Sequence, residues 1–564
     1  MQKWDYNVDI VVIGSGGGGL TAALAAQDSG CSTLVLEKSP FYGGATAMSG
    51  GAIWVPCNTH MKNLNIPDSK EEALEYLASV TEGIICKERL QAYVDNAATM
   101  VDFLEKNTPV KFDAVEKYPD YYPEKKGGKP GGRTLEPQPF NGKLLKSELA
   151  GMRKPHPQEL AMGKVAFTAQ EAHEILFSGA KGQLLAAKTI LHSFLRIPQW
   201  VHYGRDTRLT LGNALIGRLR YALLEKKIPI WCSTPLHEII MENDKVVGVQ
   251  VLKDGKLVTI EGKKGVILAS GGFARKKGMR VQHQMSPIST SWTAAPEPDQ
   301  GEVHQMGESL GADMALMDEN WWTPTTLIPG EELAWLLVIE KSLPGSIMVN
   351  KDGKRFTNEA SSYNDVVKGM YGDNEKTGTT IPAFIIMDKR CRENYPCGPL
   401  FPGKFQPELF WKKALKDRWI EKGSSVEQIA EKLGIDAGGL KATIQEFNTQ
   451  AVLGKDPAFH RGESAYDRYY ADPTVTPNPS LAPLKEFPFY GFQVWPGDLG
   501  TKGGMVTDKH GRVLKEDGSP IPQLYATGNC TSSVMGRSYP GAGGTIGPSM
   551  TFGYLAARFA AQAG

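Results

Sequence analysis

Residues 9–26 read Asp9-Ile-Val-Val-Ile-Gly-Ser-Gly-Gly-Gly-Gly-Leu-Thr-Ala-Ala-Leu-Ala-Ala26. The unbroken apolar run from Ile10 to Ile13 predicts a buried strand, and it leads straight into Gly14, Gly16 and Gly19 at G-x-G-x-x-G spacing. A helix of small apolar residues follows, and a second apolar run, Thr33-Leu-Val-Leu, ends on Glu37. Each part has a physical task. Gly14 permits a tight turn, Gly16, beside Ser15, lets a pyrophosphate touch the backbone at a helix N-terminus, and Gly19 lets helix and strand pack closely. Glu37 arrives about 20 residues on, where a carboxylate takes ribose hydroxyls. Strand, glycines, helix, strand and acid in that order predict a Rossmann-type α/β domain. The acid favours an unphosphorylated ribose, that of FAD or NAD.

The next stretch decides between the two. Lys38-Ser-Pro-Phe-Tyr-Gly-Gly-Ala-Thr-Ala-Met-Ser-Gly-Gly-Ala-Ile-Trp54 places small residues at Gly44, Ala45, Ser49, Gly50 and Gly51, where backbone amides can lie against a flat ring, and Thr46 adds a hydroxyl. This segment resembles the flavin-contacting segment of the fumarate reductase/succinate dehydrogenase flavoprotein superfamily, which implies FAD with Lys38 among its contacts. Covalent relatives attach their cofactor through a His in this segment. None stands there, so the FAD is expected to be held non-covalently.

Two later stretches belong to the same domain. Val246-Val-Gly-Val-Gln-Val251, a turn, and then Gly265-Val-Ile-Leu-Ala-Ser-Gly271 predict a β-meander returning to the sheet and bringing Gly271 to the cofactor. Leu524-Tyr-Ala-Thr-Gly-Asn529 predicts a strand that delivers Asn529 to the ribityl chain, with Gly544 and Ile546 completing the expected cofactor contacts. The FAD-binding domain is therefore expected from both ends of the chain, residues 1–280 (with an excursion at 141–205) and 486–564. Residues 281–485, where Pro-rich connections break mixed strands and helices, are expected to form an inserted α+β catalytic domain.

Composition excludes several other classes. Lys plus Arg (63) nearly equals Asp plus Glu (62) over 564 residues, which gives no reason to expect a nucleic-acid partner. The seven cysteines are scattered, odd in number and without CxxC, which predicts reduced thiols in a cytoplasmic protein and no metal site. The start is polar without an apolar signal core, and no apolar run reaches the roughly 18 residues of a spanning helix. Residues 175–205 contain no acid but carry Lys181, Lys188, Arg196 and Arg205. On a helical wheel Lys181, Lys188, His192 and Arg196 share one face, with Ala187, Ile190, Leu191 and Phe194 away from it. Two readings fit: an ordinary packed helix, or a helix lying on the anionic inner face of the cell membrane.

Three further segments carry a resemblance that covers essentially the whole chain. They are Lys117-Tyr-Pro-Asp-Tyr-Tyr-Pro-Glu-Lys-Lys-Gly-Gly-Lys-Pro-Gly-Gly-Arg-Thr-Leu-Glu-Pro137, Met348-Val-Asn-Lys-Asp-Gly-Lys-Arg-Phe-Thr-Asn-Glu-Ala-Ser-Ser-Tyr363 and Arg537-Ser-Tyr-Pro-Gly-Ala-Gly-Gly-Thr-Ile-Gly-Pro-Ser-Met-Thr-Phe-Gly-Tyr-Leu-Ala556. Together they resemble the 3-ketosteroid Δ1-dehydrogenases. The resemblance implies an FAD-dependent oxidoreductase acting on CH–CH bonds of a 3-ketosteroid substrate, with Tyr118, Tyr363, Tyr539 and Gly543 as its catalytic set.

Those residue types suit the chemistry. The Tyr539 hydroxyl and Gly543 N–H can polarise the ketone oxygen, and Tyr363 can take the proton from carbon 2. Tyr118 can hydrogen-bond that base and relay the proton outward, although Tyr121 and Tyr122 stand close enough to replace it. Hydride would leave carbon 1 for flavin N5, and the helix starting near Gly547 would turn its positive end toward the reduced ring. No second dinucleotide fingerprint is present, so an external acceptor such as a quinone is expected to reoxidise the flavin. A ketosteroid Δ4-(5α)-dehydrogenase and a fumarate-reductase-like enzyme remain as rival readings, the latter because Arg537 stands near the third segment. A Rossmann protein without redox chemistry is a third.

Overall fold

The computed structural model describes residues 3–562. Tyr6–Ile13, wholly buried from Ile10 onward, pairs in parallel with Thr33–Leu36 on one side and with Lys256–Leu268 on the other. Thr33–Leu36 passes the parallel order on to Ile230–Trp231. Lys256–Leu268 has two neighbours on its far side. Its first half runs antiparallel to Lys245–Lys253, which pairs in turn with Leu236–Glu242, and its last residues, Val266 to Leu268, take Pro520–Ala526 in parallel. The expected meander is thus present, and two strands from the far end of the chain, Pro520–Ala526 and its antiparallel neighbour Arg512–Leu514, complete the eight-stranded sheet.

The helix Gly17–Asp28 lies against the C-terminal helix Ile546–Gln562 with almost no side chain between them. A Cβ on Gly18 would come within 2.3 Å of the Ser549 hydroxyl, and one on Gly553 within 2.5 Å of Gly18 O. Both termini of the described chain are therefore locked into one layered unit of the type that places a nucleotide at the strand ends.

A second sheet, of six strands, carries the inserted unit. Its order is Trp335–Leu336, Asn320–Thr326, Phe489–Thr501, Ala383–Met387 and Ser346–Val349, with Glu421–Gly423 also on Phe489–Thr501. The expected boundary at 485 falls ahead of this sheet's central strand. We therefore propose a boundary after residue 501, because cutting at 485 would remove the strand that Asn320–Thr326 and Ala383–Met387 both pair with.

The excursion folds into the helices Ala169–Phe177, Gly179–Phe194 and Ile197–Tyr203. Thr168 starts the first with a capping box shared with Glu171. The expected basic face is reduced on folding, although Lys181, Lys188 and His192 stay exposed. Arg196 grips Asp206 through two hydrogen bonds (2.8 and 2.9 Å), and Lys181 pairs with Glu174 (2.7 Å), acids that lie just outside the acid-free stretch. Large apolar side chains share that surface: Leu184, Leu191, Phe194, Leu195 and Val201 are 72, 60, 51, 70 and 82 % exposed. Among the described residues no helix is long and apolar enough to cross a membrane, and all seven cysteines are free thiols.

Candidate active site

A cavity of about 1190 Å³ is lined from both sheets. It exceeds the roughly 300–1,000 Å³ that one small ligand needs, which leaves room for a dinucleotide and a second molecule. Its first wall is the turn between the opening strand and helix. Gly14 has φ +108°, and a Cβ there would lie 2.2 Å from Ala269 O. Gly16 instead faces open space, its nearest neighbour the Thr46 hydroxyl oxygen, 3.6 Å from a would-be Cβ. That hydroxyl accepts a hydrogen bond from Gly17 N–H (3.1 Å). Backbone amides at a helix N-terminus thus open onto the cavity, which is the donor set a pyrophosphate needs. Gly19 stands off the cavity and packs on Gly14 O, as close helix–strand packing requires.

Glu37 closes this end. One carboxylate oxygen accepts from the Ser15 hydroxyl (2.5 Å) and N–H (3.2 Å), the other from Ser39 N–H (2.9 Å). Lys38 borders the cavity, but its ammonium is engaged by Glu302 at 2.7 Å. Farther along, Gly44, Ala45, Thr46, Ser49, Gly50 and Gly51 border the cavity, as do Gly271, Asn529 and Ile546. The Ser49 hydroxyl builds its own turn, donating to Thr46 O (2.8 Å) and accepting from Gly51 N–H (3.1 Å). Asn529 Oδ1 accepts from Trp321 Nε1 (3.1 Å). Gly544 gives its N–H to Gly541 O (3.0 Å) and does not border the cavity. The amide cradle, the acid at the second strand's end and the small-residue wall between them fit FAD.

The other part of the cavity is walled by tyrosines. Tyr118, Tyr121, Tyr363, Tyr470 and Tyr539 all border it, with Gly543. Tyr363 opens the helix Tyr363–Thr377, Tyr470 follows the helix Ala465–Tyr469, and Tyr539 sits in the loop before Ile546–Gln562. The hydroxyls of Tyr121 and Tyr363 are 2.5 Å apart. Tyr118, the expected partner, pairs instead with the Tyr470 hydroxyl at 2.8 Å. The cause is the turn after strand Phe112–Ala114, which points Tyr121 at Tyr363 and leaves Tyr118 one ring farther out, 6.3 Å from Tyr121 between centroids. The Tyr539 ring packs edge-on against Tyr363 (5.2 Å) and Trp321 (4.8 Å). Its hydroxyl interacts with the Tyr363 and Thr545 side chains, and among the described residues no protein acceptor takes the Gly543 N–H.

Buried polar contacts hold these parts in register. Pro540 O accepts from Tyr121 N–H (2.9 Å) and from the Tyr76 hydroxyl (2.5 Å), which ties the 118–122 turn to the Tyr539 loop. Asp120 accepts from Trp54 Nε1 (2.7 Å) and from Arg133 (2.8 Å), whose other branch grips Asp68 (2.6 Å). Gly543 has φ +92°, and a Cβ there would strike Ile53 Cα at 2.4 Å. Arg537, the cation that a dicarboxylate reductase would need, is taken by Asp318 (2.6 Å) and Glu319 (2.9 Å).

Burial dominates the electrostatics. It pushes the Tyr363 hydroxyl well above its ordinary range, as do the neighbouring tyrosines, while the hydrogen bond from Tyr121 pulls the other way. Tyr539 is also raised by burial, with the Tyr363 and Thr545 side chains opposing. Sequence reasoning missed Tyr470 and Trp321. The run Tyr466-Asp-Arg-Tyr-Tyr470 was the available signal for the first, since tyrosines concentrate there as they do at 118–122.

Comparison with known proteins bears on this arrangement. The model of the family described as FAD binding domain matches residues 9–546. A 3-oxosteroid 1-dehydrogenase of Mycobacterium tuberculosis is 41 % identical over 99 % of this chain and 99 % of its own length. A 4-oxocyclohexanecarboxylate 2-dehydrogenase of Sinomonas cyclohexanicum is 35 % identical over 98 % of this chain and 92 % of its own. Among solved structures, the 3-ketosteroid Δ1-dehydrogenase of Sterolibacterium denitrificans in complex with 1,4-androstadiene-3,17-dione superposes with a TM-score of 0.95 at 42 % identity, covering 98 % of this chain and 99 % of that one.

Proposed function

This chain belongs to the 3-oxosteroid 1-dehydrogenase family of FAD-binding proteins, and on that premise we propose how its own residues divide the work. It is an FAD-dependent oxidoreductase that desaturates the bond between carbons 1 and 2 of a 3-ketosteroid A ring. Bound FAD supplies the hydride acceptor. The Gly14–Gly16 turn and the helix after it would hold the pyrophosphate, Glu37 the adenosine ribose, and the Thr46–Gly51 wall the ring system.

The observation that carries the reading is the meeting of the Tyr539 hydroxyl, the Gly543 N–H and one hydroxyl dyad around a single cavity. The Tyr539 hydroxyl and Gly543 N–H donate to the ketone oxygen, where negative charge grows as carbon 2 loses its proton. Each such donor is worth roughly 3 kcal/mol in a preorganised site. Tyr363, as the phenolate, takes that proton. Tyr121 donates to the phenolate and holds it, and the Tyr118–Tyr470 pair extends the hydroxyl set beyond Tyr121. The burial that makes the Tyr363 phenolate scarce also makes it a strong base once formed.

Anaerobic mixing with androst-4-ene-3,17-dione tests the assignment. The yellow colour should bleach in one turnover and yield the 1,4-diene. Retained colour with this steroid would overturn it, and so would loss of hydrogen across carbons 4 and 5 rather than 1 and 2 when a saturated 5α-3-ketosteroid is mixed in its place.

A peripheral membrane contact is part of the same proposal, moved from the basic residues to the apolar ones. Ala187 and Ile190 border the cavity from the same helix that exposes Leu184, Leu191 and Phe194. Across the mouth, Phe401 and Phe405 border it too, and Phe405, Leu409 and Phe410 are 63, 83 and 70 % exposed. A mouth rimmed in this way suits a substrate, and a quinone-type acceptor, drawn from lipid.

A further inference from the structure

Lys502 follows the central strand of the second sheet, Phe489–Thr501, and is wholly buried. A buried ammonium is costly unless it is well solvated by the protein. Here it donates to Ser538 O, the carbonyl directly ahead of Tyr539, and lies 4.2 Å from the centroid of the Trp321 ring. That is within range of a cation–π contact, which is worth more in a desolvated site than on a surface. Trp321 is held at its edge by Asn529 and presents its ring to Tyr539 at 4.8 Å. Burial pushes the ammonium down to about 7, with Glu319 opposing and the Lys368 and Arg537 cations adding to the fall.

The Tyr539 hydroxyl has only the Tyr363 and Thr545 side chains near it and no close hydrogen bond among the described residues, so its aim rests largely on its backbone and on the rings around it. Lys502 touches both supports. We propose that Lys502 is a positioning residue for substrate recognition, aiming the Tyr539 hydroxyl at the 3-ketone by gripping Ser538 O and the face of Trp321. This rests on the reading that Tyr539 binds the ketone.

Affinity for two steroids of one skeleton, one bearing the 3-oxygen and one lacking it, isolates the effect. Both already carry the carbon 1–2 double bond, so neither is turned over, and both are titrated into the FAD-loaded protein under anaerobic conditions, at a pH below the Lys502 value. The parent should prefer the ketone, and Tyr539→Phe should lose most of that preference. Lys502→Met should lower it about tenfold or more, with FAD content unchanged and the 3-deoxy steroid bound as before, and Lys502→Arg should restore most of it. Adding Lys502→Met to Tyr539→Phe should cost no further preference, because both act on one contact. If Lys502→Met does not fold, Lys502→Gln makes the same comparison, since it removes the charge while keeping a donor. An undiminished ketone preference in a folded Lys502 variant, equal weakening of both steroids, or additive losses in the double variant would overturn the proposal. If Tyr539→Phe keeps the full preference, the ketone reading falls and this inference falls with it.

Discussion

Tyr363 has a folded-state pKa well above its ordinary value of 10, with burial as the leading cause. A base of that kind works through a small phenolate fraction, so flavin reduction should rise with pH through the neutral and mildly alkaline range without levelling off below about 10. The stability sign allows the measurement. A phenol raised on folding contributes stability that is whole below its unfolded value near 10 and lost only above it. A plateau already reached at neutral pH would exclude Tyr363 as the titrating base. Tyr363→Phe should bind ketosteroid yet reduce flavin at least about a hundredfold more slowly. It should also lose exchange of the carbon 2 hydrogen with deuterated solvent. Tyr121→Phe removes a hydrogen bond to a charged group, worth about 1.5–3 kcal/mol. It should slow reduction about ten- to a hundredfold at fixed pH and push the rising limb higher, whereas Tyr118→Phe should do less. If Tyr118→Phe shifts the limb more than Tyr121→Phe, the dyad is wrongly drawn. At the ketone, Tyr539→Phe should lose roughly two orders of magnitude in turnover while keeping FAD; near-parental activity would refute its role.

The helix Gly179–Phe194 illustrates how an element can keep its secondary structure while its expected face is partly paired away. Its thread of lysine, histidine and arginine is real in the sequence, but Asp206 and Glu174 neutralise two of the cations once the chain folds. Apolar exposure then becomes the stronger argument, since several large side chains lie more than half exposed beside a cavity mouth. Co-sedimentation with liposomes should therefore weaken on changing Leu191 and Phe194 together to Glu, and weaken little on changing Arg196 to Glu. It should also resist moderate salt, because apolar insertion is not screened. Binding that is lost in salt but indifferent to Leu191 and Phe194 would return the contact to its charges. No binding by the parent protein would end the idea.

At the scale of the whole molecule, the cavity joins both chain ends to the inserted unit, so its largest ligand should stabilise all of them together. With no His in residues 38–54, acid precipitation should release the entire yellow colour into the supernatant, and colour in the pellet would show a covalent bond. Removing FAD should lower the melting temperature and adding it back should restore it, because a ligand at a hundred times its Kd contributes about 2.7 kcal/mol. The nucleotide fold was legible along the chain because its signals are local. A strand, a turn that needs Gly14, a helix start and an acid at Glu37 occupy one short run, and their order alone dictates the geometry. That Tyr539 and Gly543 would border one cavity was legible for the same reason, since one short turn carries both. That the Tyr121 hydroxyl, and not that of Tyr118, meets Tyr363 was beyond the sequence, because adjacent turns of an irregular loop aim side chains in directions that only packing decides. The Arg196–Asp206 pair, the Trp321 wall and the Lys502 grip on Ser538 depend on which surfaces meet when strands far apart in the chain come together. Local sequence specifies backbone conformation through sterics and hydrogen-bond closure; the partners of a buried side chain are set by long-range packing, and only the folded molecule settles them.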